Sequence, residues 1–172
     1  MKNQTLLNTY FEHTWKPNID QYEFSGWALI NKVKDAGSVL DVGCGYNPFK
    51  GKIPNLTGID PANDAADVRC SIEDFRPDQY YDVAFCLGSI NFGTVEDIEA
   101  QITKVVSWLN PTARIYWRCN PGRADHNNDK CGEIPFYPWS IEEQIRLAIK
   151  FGFNLKECRW DSGRRIYAEW SR

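Results

Sequence analysis

A chain of 172 residues, 42% hydrophobic and 14% aromatic, has enough apolar surface for one packed domain and too much for a disordered one. Its net charge of -3 excludes the broad basic field that non-specific nucleic-acid binding needs, and leaves only a local basic patch open. No apolar run approaches the roughly 20 residues that span a bilayer, so no membrane partner is expected. MKNQTLLNTYFEHTW lacks the apolar run and cleavage site of a signal peptide, so the expectation is a cytoplasmic protein.

The pattern after a helical start alternates strand and helix. Asp20 and Glu23 have capping-box spacing, and Phe24, Trp27, Ala28 and Val33 recur at helical period before a stop at Gly37. Short apolar strands are predicted at Ser38–Val42 and Leu56–Ile59, with a third at Ala66–Cys70. The run 82–86, DVAFC, is apolar on both faces, as a central parallel strand must be. Thr94 opens a helix whose face is marked by Val95, Ile98, Ile102, Val105 or Val106, and Leu109; Asn110-Pro111 ends it. Ala113–Cys119 is a fifth strand. Ser140 and Glu143 form a second capping box before Ile141, Ile145, Ala148 and Ile149, and Gly152 stops that helix. Phe153–Trp160 and Arg164–Trp170 are joined by a linker too short for a parallel crossover, which makes them a hairpin. The expected architecture is one α/β domain over 1–172: a Rossmann-like, mostly parallel sheet with a C-terminal antiparallel hairpin strand and helices on both faces.

In such a sheet, ligands sit at the carboxyl ends of the strands, so the loops leaving each strand carry the information. After the first strand comes Gly43-Cys44-Gly45, but Pro48 stands where the third glycine of a dinucleotide fingerprint would be. The second strand ends at Asp60-Pro61, a carboxylate able to accept from ribose hydroxyls or simply a turn aspartate. The later exits are Ser71-Ile72-Glu73-Asp74-Phe75 and Leu87-Gly88-Ser89-Ile90-Asn91-Phe92.

Taken in order, VLDVGCG, GID, SIEDF and YDVAFCLGSINF resemble the successive motifs of class I S-adenosylmethionine-dependent methyltransferases, from about Tyr22 to the C-terminus. The resemblance implies S-adenosylmethionine as cofactor. Gly43, Cys44 and Gly45 would pass under its methionine part, and Asp41 would brace that loop or reach the amino group through water. Asp60, with Pro61, would hold the ribose. Ser71, Ile72 and Glu73 would surround the adenine, and Leu87 and Gly88 would flank the sulfonium. Ser71 stands where many members carry an aspartate for the adenine amino group, which shifts that role to Glu73, Asp74 or the main chain. Residues 43–55 are too short and too rich in Pro and Gly for the family's helix; Asn47 and Pro48 suit the start of a single turn. The connection 60–66 is also short, so one sheet face looks thinly covered, by the N-terminal segment or by a second copy in a homodimer.

Methyl transfer from a sulfonium needs alignment and exclusion of water, and a general base only for a poorly acidic acceptor. No base stands out. Tyr46, Asn91, Asp125, His126 and Glu133 are candidates, each more often an ordinary loop residue. The segment 120–139, NPGRADHNNDKCGEIPFYPW, is the expected substrate loop. Arg118 and Arg123 suit an anionic group, although solvated arginine is the commoner reading. The aromatic stretch TYFEHTWKPNIDQY is either a lid or, slightly favoured, packing for the uncovered face. Six cysteines without a C-x-x-C pair, and two separated histidines, His13 and His126, give no metal site; Cys70, Cys86, Cys119 and Cys158, in or next to strand-like runs, read as small buried hydrophobes. The leading reading is methyl transfer to an unidentified small-molecule, protein or RNA acceptor. The alternatives are a non-catalytic S-adenosylmethionine-binding module or partner subunit, and aminopropyl transfer on the same fold.

Overall fold

The computed structural model describes residues 4–16, 24–121 and 135–172. In chain order the elements are α1 (Gln4–His13), α2 (Ala28–Lys32), β1 (Val39–Val42), β2 (Leu56–Ile59), β3 (Tyr81–Cys86), α3 (Val95–Ser107), β4 (Leu109–Cys119), α4 (Ile141–Lys150), β5 (Asn154–Asp161) and β6 (Arg165–Ser171). They build a six-stranded sheet in the order β2-β1-β3-β4-β6-β5. The pairs β1–β2, β1–β3 and β3–β4 are parallel, and β6 runs antiparallel to both β4 and β5. The expected Rossmann-like architecture is therefore the observed one. The chain leaves β1 for β2 on one side and returns to β3 on the other, which places the switch in strand order, and a crevice, at the carboxyl end of β1.

Strict alternation along β1, β3 and β4 sorts the core into two faces. Leu40, Val42, Ala84, Cys86, Ile115 and Trp117 meet α3 and α4 on one face. Val39, Val83, Phe85 and Tyr116 meet α2 on the other. α3 begins where the sequence places it: Thr94 and Asp97 form a reciprocal capping box. The hairpin turn needs two left-handed residues, and Ser162 (φ 54°) and Gly163 (φ 67°) supply them.

Several boundaries differ from expectation for identifiable reasons. The helix predicted through Phe24 and Trp27 starts only at Ala28, because Gly26 takes φ 80° and breaks the helical path. Asp20 and Glu23 lie outside the described residues. The strand predicted at Ala66–Cys70 shrinks to one parallel bridge, Ile59 to Val68. Asn110-Pro111 does not end α3 but belongs to β4, whose pairing with β3 is irregular between Tyr81 and Val83, where a proline is tolerated. On α4 the buried residues are Gln144, Leu147 and Ala148, while Ile145 and Ile149 face solvent.

The crossover after β1 contains no helix, as Pro48 implies. Asn47 does not cap a turn there; it takes φ 53° and its amide donates to the Ala65 carbonyl and to Asp67. Phe49 and Ile53 fill the space instead, with Phe49 buried edge-on between Trp27 and Phe85. The face expected to be thinly covered is thus closed from within the chain. Among the described residues no helix is long and apolar enough to cross a membrane. Phe49→Ala should cost about 3–5 kcal/mol in a urea melt, the range for emptying an aromatic core site. Lys52→Ala on the same turn should cost under about 0.5 kcal/mol, the usual surface value. Equal, small effects would contradict a core role for this turn.

Candidate functional site

The loop after β1 is drawn tightly onto β2. Gly43 and Cys44 both donate their N–H to the Ile59 carbonyl, at 2.8 and 3.0 Å. Gly45 N–H donates to Asp60 Oδ2 at 2.9 Å. Only glycine fits the two flanking positions: Gly43 has φ 69° and a Cβ there would lie 2.3 Å from Ser89 Cβ, while Gly45 has φ 54° and a Cβ there would lie 2.8 Å from the Trp15 ring. Between them, Cys44 turns inward, its Sγ against Gly58. Burial pushes that thiol well up, helped by Asp41, Asp60 and Asp67, so it stays protonated.

Asp60 is buried at the crevice wall, and its other oxygen accepts from the N–H groups of Ala62 (2.8 Å) and Asn63 (3.0 Å). A carboxylate offers about four lone-pair sites, so Oδ2 retains acceptor capacity toward the crevice. Asp41 does not brace the glycine loop; that role falls to Asp60 and the Ile59 carbonyl. Asp41 is buried at the end of β1, does not line the crevice, and its carboxyl makes no hydrogen bond among the described residues. Burial, reinforced by the charges of Asp60 and Asp67, pushes its carboxyl up to about 7. Asp67 behaves oppositely: burial opposes its charge, but bonds from Lys50, the Gly58 N–H and Asn47 outweigh it and hold the carboxyl low.

Around this centre, the crevice is lined by Pro61, by Ser71, Ile72 and Glu73, and by Leu87 and Gly88, so the expected strand-exit loops do converge. Ser71 caps its own turn, its hydroxyl donating to Asp74 and accepting from the Asp74 N–H. Asn91 also lines the crevice, but both ends of its amide are engaged: it donates to the Gly88 carbonyl (2.8 Å) and accepts from Asn120 N–H (3.0 Å). It clamps the exits of β3 and β4 together. Arg118 lines the crevice from β4. Tyr46 does not; it is exposed and stacks on Trp15. Arg123, Asp125, His126 and Glu133 lie outside the described residues.

Residues beyond the strand-exit loops complete the walls. α1 contributes Gln4, Leu7, Asn8 and Phe11, followed by Trp15, so the N-terminal segment lies across the crevice rather than on a sheet face. Phe11 meets Phe92 edge-on, and Leu7 packs with it. Arg165 enters from β6, and Gln101 from the buried side of α3. The sequence offered a signal for Phe11 and Trp15, the aromatic stretch read as a lid or as packing, and one for Gln101, a polar residue among Ile98, Ile102 and Val105 on an otherwise apolar helix face.

Comparison with solved structures fits this geometry. The chain superposes on a 1,6-didemethyltoxoflavin-N1-methyltransferase from Burkholderia thailandensis with a TM-score of 0.75 at 11% identity, covering 99% of this chain and 89% of the other. That structure holds S-adenosylhomocysteine. This is the class I methyltransferase fold. A magnesium protoporphyrin IX methyltransferase from Synechocystis matches with a TM-score of 0.68 at 13% identity, over 100% of this chain and 98% of the other. An amino pentose methyltransferase from Micromonospora echinaspora matches with a TM-score of 0.61 at 18% identity, over 84% and 89%. No family model and no curated protein sequence matches the chain.

The raised Asp41 carboxyl sets a pH dependence. A folded-state value above the ordinary one favours folding below about pH 4 and loses that contribution as pH rises through about 7. Asp41→Asn should therefore gain stability relative to the parent as pH goes from 5 to 8, by on the order of 2–4 kcal/mol in urea melts. A difference that is constant with pH would contradict a buried Asp41 whose carboxyl is pushed up to about 7.

Proposed function

We propose that this chain binds S-adenosylmethionine in the crevice and transfers its methyl group to an acceptor that approaches from the Arg118–Arg165 side. One observation carries the reading: at the switch point of a class I methyltransferase fold, two obligatory glycines and a buried aspartate converge on one crevice. The residues suit the cofactor part by part. Gly43 and Gly45 bring bare backbone to the amino-acid end, where Ser89 Oγ is buried without a hydrogen-bond partner. Asp60 offers its remaining acceptor capacity to the ribose hydroxyls. Pro61, Ser71, Ile72 and Glu73 enclose the base, and Leu87 with Gly88 borders the reacting centre.

The sulfonium supplies an electrophilic methyl whose transfer is an in-line displacement. The chain's contribution is to hold the two reactants in line and to keep water away. α1 and Trp15 serve the second task by lying over the crevice. Asn91 fixes the β3 and β4 exits so that the acceptor side keeps its shape, which makes it a positioning residue rather than a base. Arg118 and Arg165 give that side positive charge and suit an acceptor carrying a carboxylate or another anionic group. Tyr46, stacked on the crevice residue Trp15, is assigned to the outer acceptor side; Arg123 and His126 lie outside the described residues.

A second reading, a binding module without catalysis, draws on the crevice itself. Among the described lining residues, the only carboxylates are Asp60, tied to three backbone N–H groups, and the exposed Glu73. A methyl-labelled cofactor screened against small anionic, protein and RNA acceptors decides between them. The enzyme reading predicts label transfer to one class, lost in Asp60→Asn together with about 10-fold or more in S-adenosylhomocysteine affinity, as for loss of a charge-assisted hydrogen bond. Tight binding with no transfer to any class would favour the module, and no binding would reject both.

A further inference from the structure

Among the described residues two glutamines are buried, and they differ in one respect. Gln144, on α4, is fully satisfied: its Nε2 donates to Cys119 Sγ and its Oε1 accepts from Trp170 Nε1 at 2.8 Å. Gln101, on α3, is 6% exposed, and its Nε2 is shut off from solvent with no hydrogen-bond partner. An amide left this way costs about 1–3 kcal/mol, and a neighbouring position on the same face would take leucine or isoleucine at no such cost.

Gln101 is not simply facing the core; it lines the crevice. Its position within the crevice follows from the sheet. α3 packs on the face that carries Leu40, Val42 and Cys86, and Cys70 and Ile72 pack against that same cluster. Gln101 therefore lies on the same sheet face as the loop 70–73, and both line the crevice. Arg118 lies on the opposite face, since it alternates with the inward Trp117 and Cys119 and pairs with Tyr167. The unpartnered amide is on the side assigned to the base and away from the acceptor.

We infer that Gln101 turns its terminal amide into the crevice and reads the purine edge of the bound nucleoside, with Oε1 accepting from the 6-amino group and Nε2 donating to a ring nitrogen. A carboxamide presents one acceptor and one donor side by side, the pattern that pairs with adenine. The loop that resembles the family's adenine site has Ser71 where a carboxylate is common, and the Ser71 hydroxyl is already bonded within its own turn. Gln101 supplies from the helix what that loop does not. The inference rests on the proposed cofactor reading and adds a residue that sets its base specificity.

The experiment is a cycle between residue and ligand. S-adenosylhomocysteine and its analogue lacking the 6-amino group are titrated calorimetrically into the parent, Gln101→Met and Gln101→Leu. The parent should prefer the amino compound by about 10-fold, and both variants should reduce that preference to about 2-fold or less. The same variants without ligand should melt at an unchanged temperature or about 2–4 °C higher, because an unsatisfied amide has been removed. A preference retained in both variants would overturn the inference, as would a melting temperature lowered in both, which would mark Gln101 as structural. Failure of the parent to bind either compound would instead reject the cofactor reading itself.

Discussion

Everything at the crevice depends on how the β1 exit is tied to the end of β2. The Ile59 carbonyl accepts from both Gly43 and Cys44, and the Asp60 carboxylate accepts from Gly45, Ala62 and Asn63. Five backbone N–H groups, which a tight turn would otherwise leave without partners, are satisfied by one residue pair at a strand end. The arrangement ties the glycine loop to the sheet and leaves a carboxylate with spare acceptor capacity on the crevice wall. A substitution at Asp60 is therefore both a ligand change and a loop change, and its effect on binding has to be read beside its effect on stability.

A second tie allows this fold to dispense with a helix. Asp67 accepts from the Gly58 N–H, from Asn47 and from Lys50, drawing the 47–53 turn and the 60–68 loop onto β2. Gly58 has no room for a side chain: a Cβ would meet Asn47 Oδ1 and Cys44 Sγ at 2.8 Å each. Phe49 and Ile53 then cover the sheet where a helix would be, and the apolar burial is kept with far fewer residues. The consequence is electrostatic. The charges of Asp60 and Asp67 reach Asp41, and its carboxyl, which has no hydrogen bond among the described residues, is the one pushed up to about 7.

How much of this is readable in the sequence differs by level. The β3 run, the Thr94 capping box, the hairpin and the Gly43–Gly45 turn all rest on local rules, and each appears where those rules put it. Asp60 was legible as a crevice residue because it ends a strand in a parallel sheet. Its bonds to three N–H groups were not, since they depend on how two loops meet. Gly26 reads as a tolerable helix residue until its φ is known. On α4, isoleucines at 141, 145 and 149 suggest a face, but that row drifts around the helix, and Leu147 with the satisfied Gln144 turns inward instead. The location of α1 over the crevice follows from long-range contacts between Leu7, Phe11 and Phe92, which no local pattern encodes.

Amide hydrogen exchange with and without S-adenosylhomocysteine tests the account at its centre, the assignment of this crevice to the cofactor. Binding in this crevice predicts slower exchange at residues 43–45, 60–63, 71–73 and 87–88, together with α1, and little change at β5 and the solvent face of α4. Saturating ligand that leaves these segments unchanged, or that protects only residues elsewhere, would contradict it.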